Sequence, residues 1–148
     1  MVENNKVWVG FWVMILRDWK VLLGQRHEDA EKASSELHGE WTRTMPGWKM
    51  QFHESFEQLC ARETLEETGL KINTNTIKII SITNDMVPDK HFVTIGFLAE
   101  DVEWEPQVME PDEITKWERF DLNDLPTPLF FPSEKVIKNY LAWTIYKN

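Results

Sequence analysis

The chain has 148 residues, 42% of them hydrophobic and 28% charged, which fits one soluble domain over residues 1–148 and excludes wholesale disorder. Its formal net charge of −9 repels a nucleic-acid backbone and argues against a DNA or RNA polymer as partner, but not against a small phosphorylated ligand bound with a divalent cation. A single cysteine, Cys60, excludes an internal disulfide and a thiolate zinc cluster; with a polar start (Met1–Lys6) and no apolar run near the roughly 20 residues of a membrane span, the expectation is a cytoplasmic protein away from membranes.

Val7–Leu16 is almost continuously apolar and predicts a strand buried on both faces. Arg17-Asp18-Trp19-Lys20 reads as a tight turn into Val21-Leu22-Leu23. Trp19 stands where glycine is expected, so the turn is either strained or of another type. Gln25–Glu40 is polar and predicts a surface loop, and Trp41–Phe52 a strand-like region interrupted by Pro46-Gly47. Ile77–Ile82, His91–Ala99 and Thr115–Phe120 read as strands. Ser133 is a candidate N-cap for a C-terminal helix whose apolar stripe is Val136, Ile137, Tyr140 and Leu141. Eight tryptophans imply either an aromatic core or an aromatic-rich surface.

The chemistry concentrates in Glu54–Leu70. Ser55 followed three residues later by Gln58 is a capping box, and Gly69 suits a helix C-terminus. Phe56, Leu59 and Cys60 form an apolar face which, continued at helical spacing, reaches Glu63, Glu66 and Glu67. Carboxylates so placed repel by a few tenths of a kcal/mol per pair, and the helix C-terminus disfavours anions. A hard divalent cation with oxygen ligands would offset both effects. On spacing alone, a solvated acidic face is the commoner explanation.

Glu54, seven residues, then Arg62-Glu63-Thr64-Leu65-Glu66-Glu67-Thr68-Gly69-Leu70 resembles the Nudix box. Val21–Arg26, Met45-Pro46-Gly47 and Pro128-Leu129-Phe130-Phe131-Pro132 resemble flanking segments of MutT-like members. The resemblance implies an α/β fold, the Nudix α/β/α sandwich around a mixed β-sheet. It implies metal-dependent pyrophosphohydrolysis of a nucleoside diphosphate or triphosphate derivative, or of another small-molecule diphosphate, with Mg²⁺ or Mn²⁺. By position, Glu63, Glu66, Glu67 and the Gly47 carbonyl match metal ligands, Glu54 supports the site, and Arg62 orients the carboxylates. Arg26 and Lys49 match phosphate contacts, Phe131 a base-stacking ring, and Glu134 a hydrogen-bond partner of the base edge. Thr64 occupies a usually aliphatic position.

The box loop departs from the family pattern. Trp48 stands where the box opens with glycine, His53 where glycine precedes the first glutamate, and Gln51 where glutamate is frequent. Trp19, Trp41 and Trp104 occupy turn-like positions, and Arg43 and Arg119 stand in strands where an aromatic is expected. Two readings follow. One is a diverged hydrolase whose tryptophans pack locally. The other is a redesigned Nudix scaffold with a disabled hydrolase loop. Its tryptophan-rich surface would bind a designed partner or a second copy, or its pocket would be remodelled around Lys49 and His53.

Overall fold

The computed structural model describes residues 5–32, 39–100, 102 and 105–147. In chain order the elements are β1 (Val7–Arg17), β2 (Lys20–Arg26), β3 (Arg43–Thr44), α1 (Phe56–Thr68), a short 3₁₀ turn (Thr74–Thr76), β4 (Lys78–Val87), β5 (Lys90–Glu100), β6 (Ile114–Asp121) and α2 (Phe131–Leu141). The six strands form one mixed sheet in the order β3-β2-β1-β5-β4, with β6 also on β2. β1 and β5 run parallel; the other pairs are antiparallel.

Alternation along β1 divides the core into two layers. Trp12, Met14 and Leu16 pack with Val136 and Ile137 of α2, while Phe11, Val13 and Ile15 pack with Leu59 and Cys60 of α1. The result is the expected α/β/α sandwich. Among the described residues no helix is long and apolar enough to cross a membrane.

The site depends on a split in the sheet. β1 and β2 pair only at Leu16–Val21 and Arg17–Lys20, beside the turn that joins them. Further along they diverge, and the chain after residue 42 bridges the gap. Arg43 and Thr44 pair with β2. The next residues pair with β1: Val13 N–H donates to Pro46 O (2.8 Å) and Phe11 N–H to Trp48 O (2.9 Å). Gly47 lies between these two contacts. Its φ is +149°, and a Cβ there would come within 2.2 Å of the Phe11 carbonyl oxygen, so only glycine fits.

Several local expectations are corrected. β1 is buried only from Gly10 to Leu16; Val7, Trp8 and Val9 are exposed. The turn after it has φ of +51° at Asp18 and +63° at Trp19, both left-handed, so Trp19 adopts the conformation expected of glycine. β2 continues through Gln25 and Arg26, which are buried and are not part of a surface loop. Polar side chains are tolerated there because Gln25 Nε2 donates to Trp41 O (2.9 Å) and Arg26 Nε to Gly39 O (2.9 Å). The region Trp41–Phe52 contributes the short β3 and two isolated bridges, Lys49 to Gly10 and Arg43 to Leu129.

Helix α2 starts earlier than predicted, with Phe130 as N-cap and no side-chain cap bond. Ser133 lies inside the helix and is buried, and its Oγ accepts from Met45 N–H at 3.1 Å. The tryptophans serve both roles: Trp12 and Trp117 are buried, Trp48 is partly buried, and Trp8, Trp19, Trp41 and Trp143 are exposed. Trp104 lies outside the described residues.

Candidate active site

Helix α1 is fixed at both ends. Gln58 N–H donates to Ser55 Oγ (3.1 Å), and Ser55 N–H donates back to Gln58 Oε1 (2.9 Å). Gly69, with φ of +72°, ends the helix by donating to Leu65 O. Two carbonyls of the last turn, which the helix itself leaves unsatisfied, gain distant partners. Trp117 Nε1 on β6 donates to Glu67 O (3.1 Å), and Gln107 N–H donates to Thr68 O (2.8 Å). These bonds draw the segment before β6 against the end of α1. The fully buried stripe of α1 continues from Leu59 and Cys60 to Thr64 and Thr68. The glutamates flank that stripe: Glu63 and Glu67 are partly buried and Glu66 is exposed.

Arg62 grips Glu54 with two bonds, Nε to Oε1 (2.5 Å) and Nη2 to Oε2 (3.0 Å). Its Nη1 also donates to Glu63 (2.7 Å) and Glu66 (3.3 Å). Gln51 N–H adds a bond to Glu54 Oε2 at 3.0 Å. The Arg62 hydrogen bonds lower the Glu54 carboxyl below its ordinary range and raise the guanidinium further. Burial outweighs Arg62 at Glu63, whose carboxyl is raised.

Glu67 has a different environment. Its Oε2 accepts the Gly47 N–H at 2.8 Å. Carboxylate oxygens of Glu67, Glu110 and Glu113 lie within 4.8 Å of one another. Burial, then the charge of Glu63, pushes Glu67 well above the usual carboxylate range. Burial, then Glu113, raises Glu110. The cluster borders a cavity of about 200 Å³ with Glu63, Glu66, Gly47, Trp48 and Arg26 also on its walls. Arg26 is lowered to about 10 by burial, against the opposing charges of Glu113, Glu40 and Glu67. Its guanidinium stacks on the Phe130 ring, 4.6 Å from the centroid.

The donor set suits a hard divalent cation. Every donor is a carboxylate oxygen, and burial and mutual repulsion give the cluster a reason to bind positive charge. The residues that fit are Glu67, Glu110 and Glu113, with Glu63 and Glu66 on the same cavity.

Of the residues singled out in the sequence, Arg26, Gly47, Trp48, Glu63, Glu66 and Glu67 meet at this cavity. Glu54 and Arg62 adjoin it through Glu63. The Gly47 bond to Glu67 uses its N–H. Three of the four expected substrate contacts, Lys49, Phe131 and Glu134, do not line the cavity. Lys49 Nζ sits 4.4 Å from the Trp8 ring centroid and 5.8 Å from that of Trp48. Phe131 packs edge-on to Phe130, and Glu134 pairs with Lys138 at 2.6 Å. Trp48 leans on Trp12 (6.0 Å) and Phe92 (5.8 Å). Gln51 and His53 are exposed in the box loop, His53 with φ of +61° and its ring 4.0 Å from that of Phe52. Trp41 also has positive φ (+64°). Arg43 reaches Glu118 (3.2 Å) and lies over Phe120. Arg119 pairs with Leu22 across β6 and β2.

Glu110 and Glu113 were missed by sequence reasoning. Their only signal is an acidic pair three residues apart in Glu110-Pro111-Asp112-Glu113, just before a strand. Neither carries a motif, and their approach to Glu67 depends on the distant bonds from Gln107 and Trp117.

The α/β/α sandwich, with a capped glutamate helix at a split sheet, is the architecture that the Nudix resemblance implies. The model of the NUDIX domain matches residues 6–142, so the chain belongs to the Nudix family. It is 32% identical over 130 residues to an ADP-ribose pyrophosphatase of Methanocaldococcus jannaschii, covering 88% of this chain and 70% of that protein. A MutT NUDIX hydrolase from Burkholderia pseudomallei superposes with a TM-score of 0.78 at 26% identity, over 90% of this chain and 98% of that one. The NUDIX domain of Shewanella oneidensis NrtR, solved with ADP ribose, shares the fold (TM-score 0.73, 19% identity, 93% of this chain and 88% of that one).

Proposed function

We propose that this chain is a pyrophosphohydrolase dependent on Mg²⁺ or Mn²⁺, acting on a nucleoside diphosphate derivative, with ADP-ribose the first substrate to test. The observation that carries this reading is the cluster of Glu67, Glu110 and Glu113 facing the same cavity as the buried Arg26. Such a pocket offers anionic ligands to a cation and a fixed positive charge to a phosphate. The likeness to the archaeal ADP-ribose pyrophosphatase supports the choice of substrate.

Glu67, Glu110 and Glu113 would hold the cation, with Glu63 and Glu66 beside them. A divalent ion in such a site neutralises phosphate charge and makes a bound water more acidic. Arg26 binds a phosphate oxygen, and its stacking on Phe130 limits where the guanidinium can go. The Gly47 N–H orients the Glu67 carboxylate. Arg62 holds Glu63 in place and anchors it to Glu54. Trp12 and Trp48 give the cavity an apolar wall. In the reaction a water oxygen bonds to one phosphorus, the bridging P–O bond breaks, and ADP-ribose yields AMP and ribose 5-phosphate.

The test is AMP release from ADP-ribose with Mg²⁺ or EDTA, for the chain and for Glu67→Gln. Turnover that requires the metal and disappears in Glu67→Gln supports the reading. Equal turnover in EDTA contradicts it.

A second reading, a remodelled scaffold with a disabled hydrolase loop, has one specific observation in its favour: an indole, Trp48, lines the cavity beside Gly47. An inactive chain whose Trp48→Gly/His53→Gly variant hydrolyses ADP-ribose would select it.

A further inference from the structure

Glu67 owes its orientation partly to the far side of the sheet. Its backbone partner, the Gly47 N–H, belongs to the same trans peptide as Pro46 O, which accepts the Val13 N–H of β1 at 2.8 Å. A planar trans peptide sends its C=O and N–H in opposite directions, so this one plane joins β1 to Glu67. How the plane is turned depends on what holds the chain just before it. Pro46 has no N–H to contribute, so the nearest upstream backbone donor is Met45.

That donor reaches out of the sheet to α2. Met45 N–H donates to Ser133 Oγ at 3.1 Å. Thr44 Oγ1 donates to Met45 O (3.2 Å) and lies 3.0 Å from Ser133 Oγ. Each hydroxyl has one proton to give. With the Thr44 proton on Met45 O, the Ser133 proton goes to Thr44, and the three bonds close a ring that holds both polar groups of Met45. Ser133 and Thr44 are 0% and 3% exposed, so water does not compete for these bonds. Helix α2 is itself firmly seated. Val136 and Ile137 lie in the core, Phe130 N–H donates to Arg43 O (2.7 Å), and Arg43 N–H donates to Pro128 O (3.0 Å).

We infer that Ser133 is a positioning residue of the cation site. It clamps Met45, fixes the turn of the Pro46–Gly47 peptide, and so aims the Gly47 N–H at Glu67. The inference rests on the reading of Glu67 as a cation ligand. Ser133 acts from a distance: Thr44, Met45 and Gly47 line the cavity and Ser133 does not. Helix α2, on the face of the sheet opposite α1, thereby takes part in ordering the acidic cluster at the end of α1. A serine inside a helix commonly turns its hydroxyl back to its own backbone. This one serves a segment 88 residues away. An alanine would fill the helix position almost as well, but it would leave the buried Met45 N–H unpaired.

Amide-proton NMR of the metal-free full chain and calorimetric Mn²⁺ titration test this inference together, on Ser133→Ala, Thr44→Ser and Val136→Ala. Ser133→Ala removes the acceptor and Thr44→Ser keeps the hydroxyl ring. Val136→Ala loosens the packing of α2 one turn further on and leaves the ring in place. The Gly47 amide proton, held downfield by its carboxylate partner, should move upfield in Ser133→Ala. The Kd for Mn²⁺ should rise about tenfold, the lower end for loss of a group that orients a metal ligand. Thr44→Ser and Val136→Ala should leave both readings unchanged, although Val136→Ala lowers the denaturation midpoint. A Gly47 signal unmoved in Ser133→Ala overturns the inference. So does an equal change in Val136→Ala, which would assign the effect to the packing of α2. If the chain itself binds no Mn²⁺, the cation reading fails, and the Gly47 signal alone decides whether Ser133 positions this peptide.

Discussion

Glu54, just before α1, and Glu67, in its last turn, lie at opposite ends of one helix, and opposite forces hold them. Glu54 is clamped by two bonds from Arg62 and another from the Gln51 amide, and its carboxyl is lowered. Glu67 receives one backbone N–H, lies near Glu110 and Glu113, and is raised by burial and by Glu63. The first arrangement is complete without a ligand. The second is under electrostatic stress that a bound cation would relieve. The two ends of α1 therefore carry a completed ion pair and a cluster of mutually repelling carboxylates, and the spacing of glutamates alone does not distinguish them.

Removing Glu67 should break the comparison most severely. Glu67→Gln should lower metal-dependent turnover by about 10²–10⁴-fold, in the range for loss of a group acting at the reacting centre. The same change should raise the melting temperature of the metal-free protein, because it deletes a buried repulsive charge. Calorimetry in EDTA checks this second effect.

Arg62→Ala should act in the opposite sense on stability. It leaves Glu54 and Glu63 uncompensated and should cost about 2–3 kcal/mol in denaturant unfolding. Activity should fall by about 10–100-fold through disordered carboxylates, as when an outer-shell partner of a metal ligand is lost.

Acidification separates the two groups without mutation. Glu54 is lowered in the folded state, so its contribution is present above its unfolded value and is lost as pH falls through the folded value. Glu67 and Glu110 are raised, so the folded state takes up protons at higher pH than the unfolded chain does. In EDTA they therefore favour folding increasingly as pH falls from neutral towards the ordinary carboxylate range. Below that range Glu54 reverses the trend. The predicted melting profile of the metal-free chain rises and then falls on acidification, and saturating Mg²⁺ should flatten the rise.

The smallest effect belongs to the helix start. Ser55→Ala removes the hydroxyl that receives Gln58 N–H and should cost about 1 kcal/mol with little change in the metal requirement.

Legibility of the sequence followed the range of the interactions. The limits of α1 were readable because a capping box and a terminal glycine are local signals. Strands β4, β5 and β6 were found, though with ends cut short. Gln25 and Arg26 were misread as loop because their burial is made possible by carbonyls of Trp41 and Gly39, many residues away. Ser133 was misread as a cap because its hydroxyl instead serves Met45 on the facing segment. Glu110 and Glu113 escaped for the same reason: Gln107 and Trp117, through their bonds to the end of α1, bring that segment to Glu67. The Trp19 turn left two alternatives open, strain or another turn type, and the left-handed φ values at Asp18 and Trp19 select the strained one.

Calorimetric titration of Mn²⁺ into the full chain, beside Glu67→Gln and Glu110→Gln/Glu113→Gln, tests the central distinction most directly. The expected result is binding to the chain, with affinity reduced at least about tenfold in both variants, comparable to or beyond the loss of an outer-shell partner. Binding of equal affinity in all three proteins would show that the Glu67, Glu110 and Glu113 carboxylates do not form a cation site.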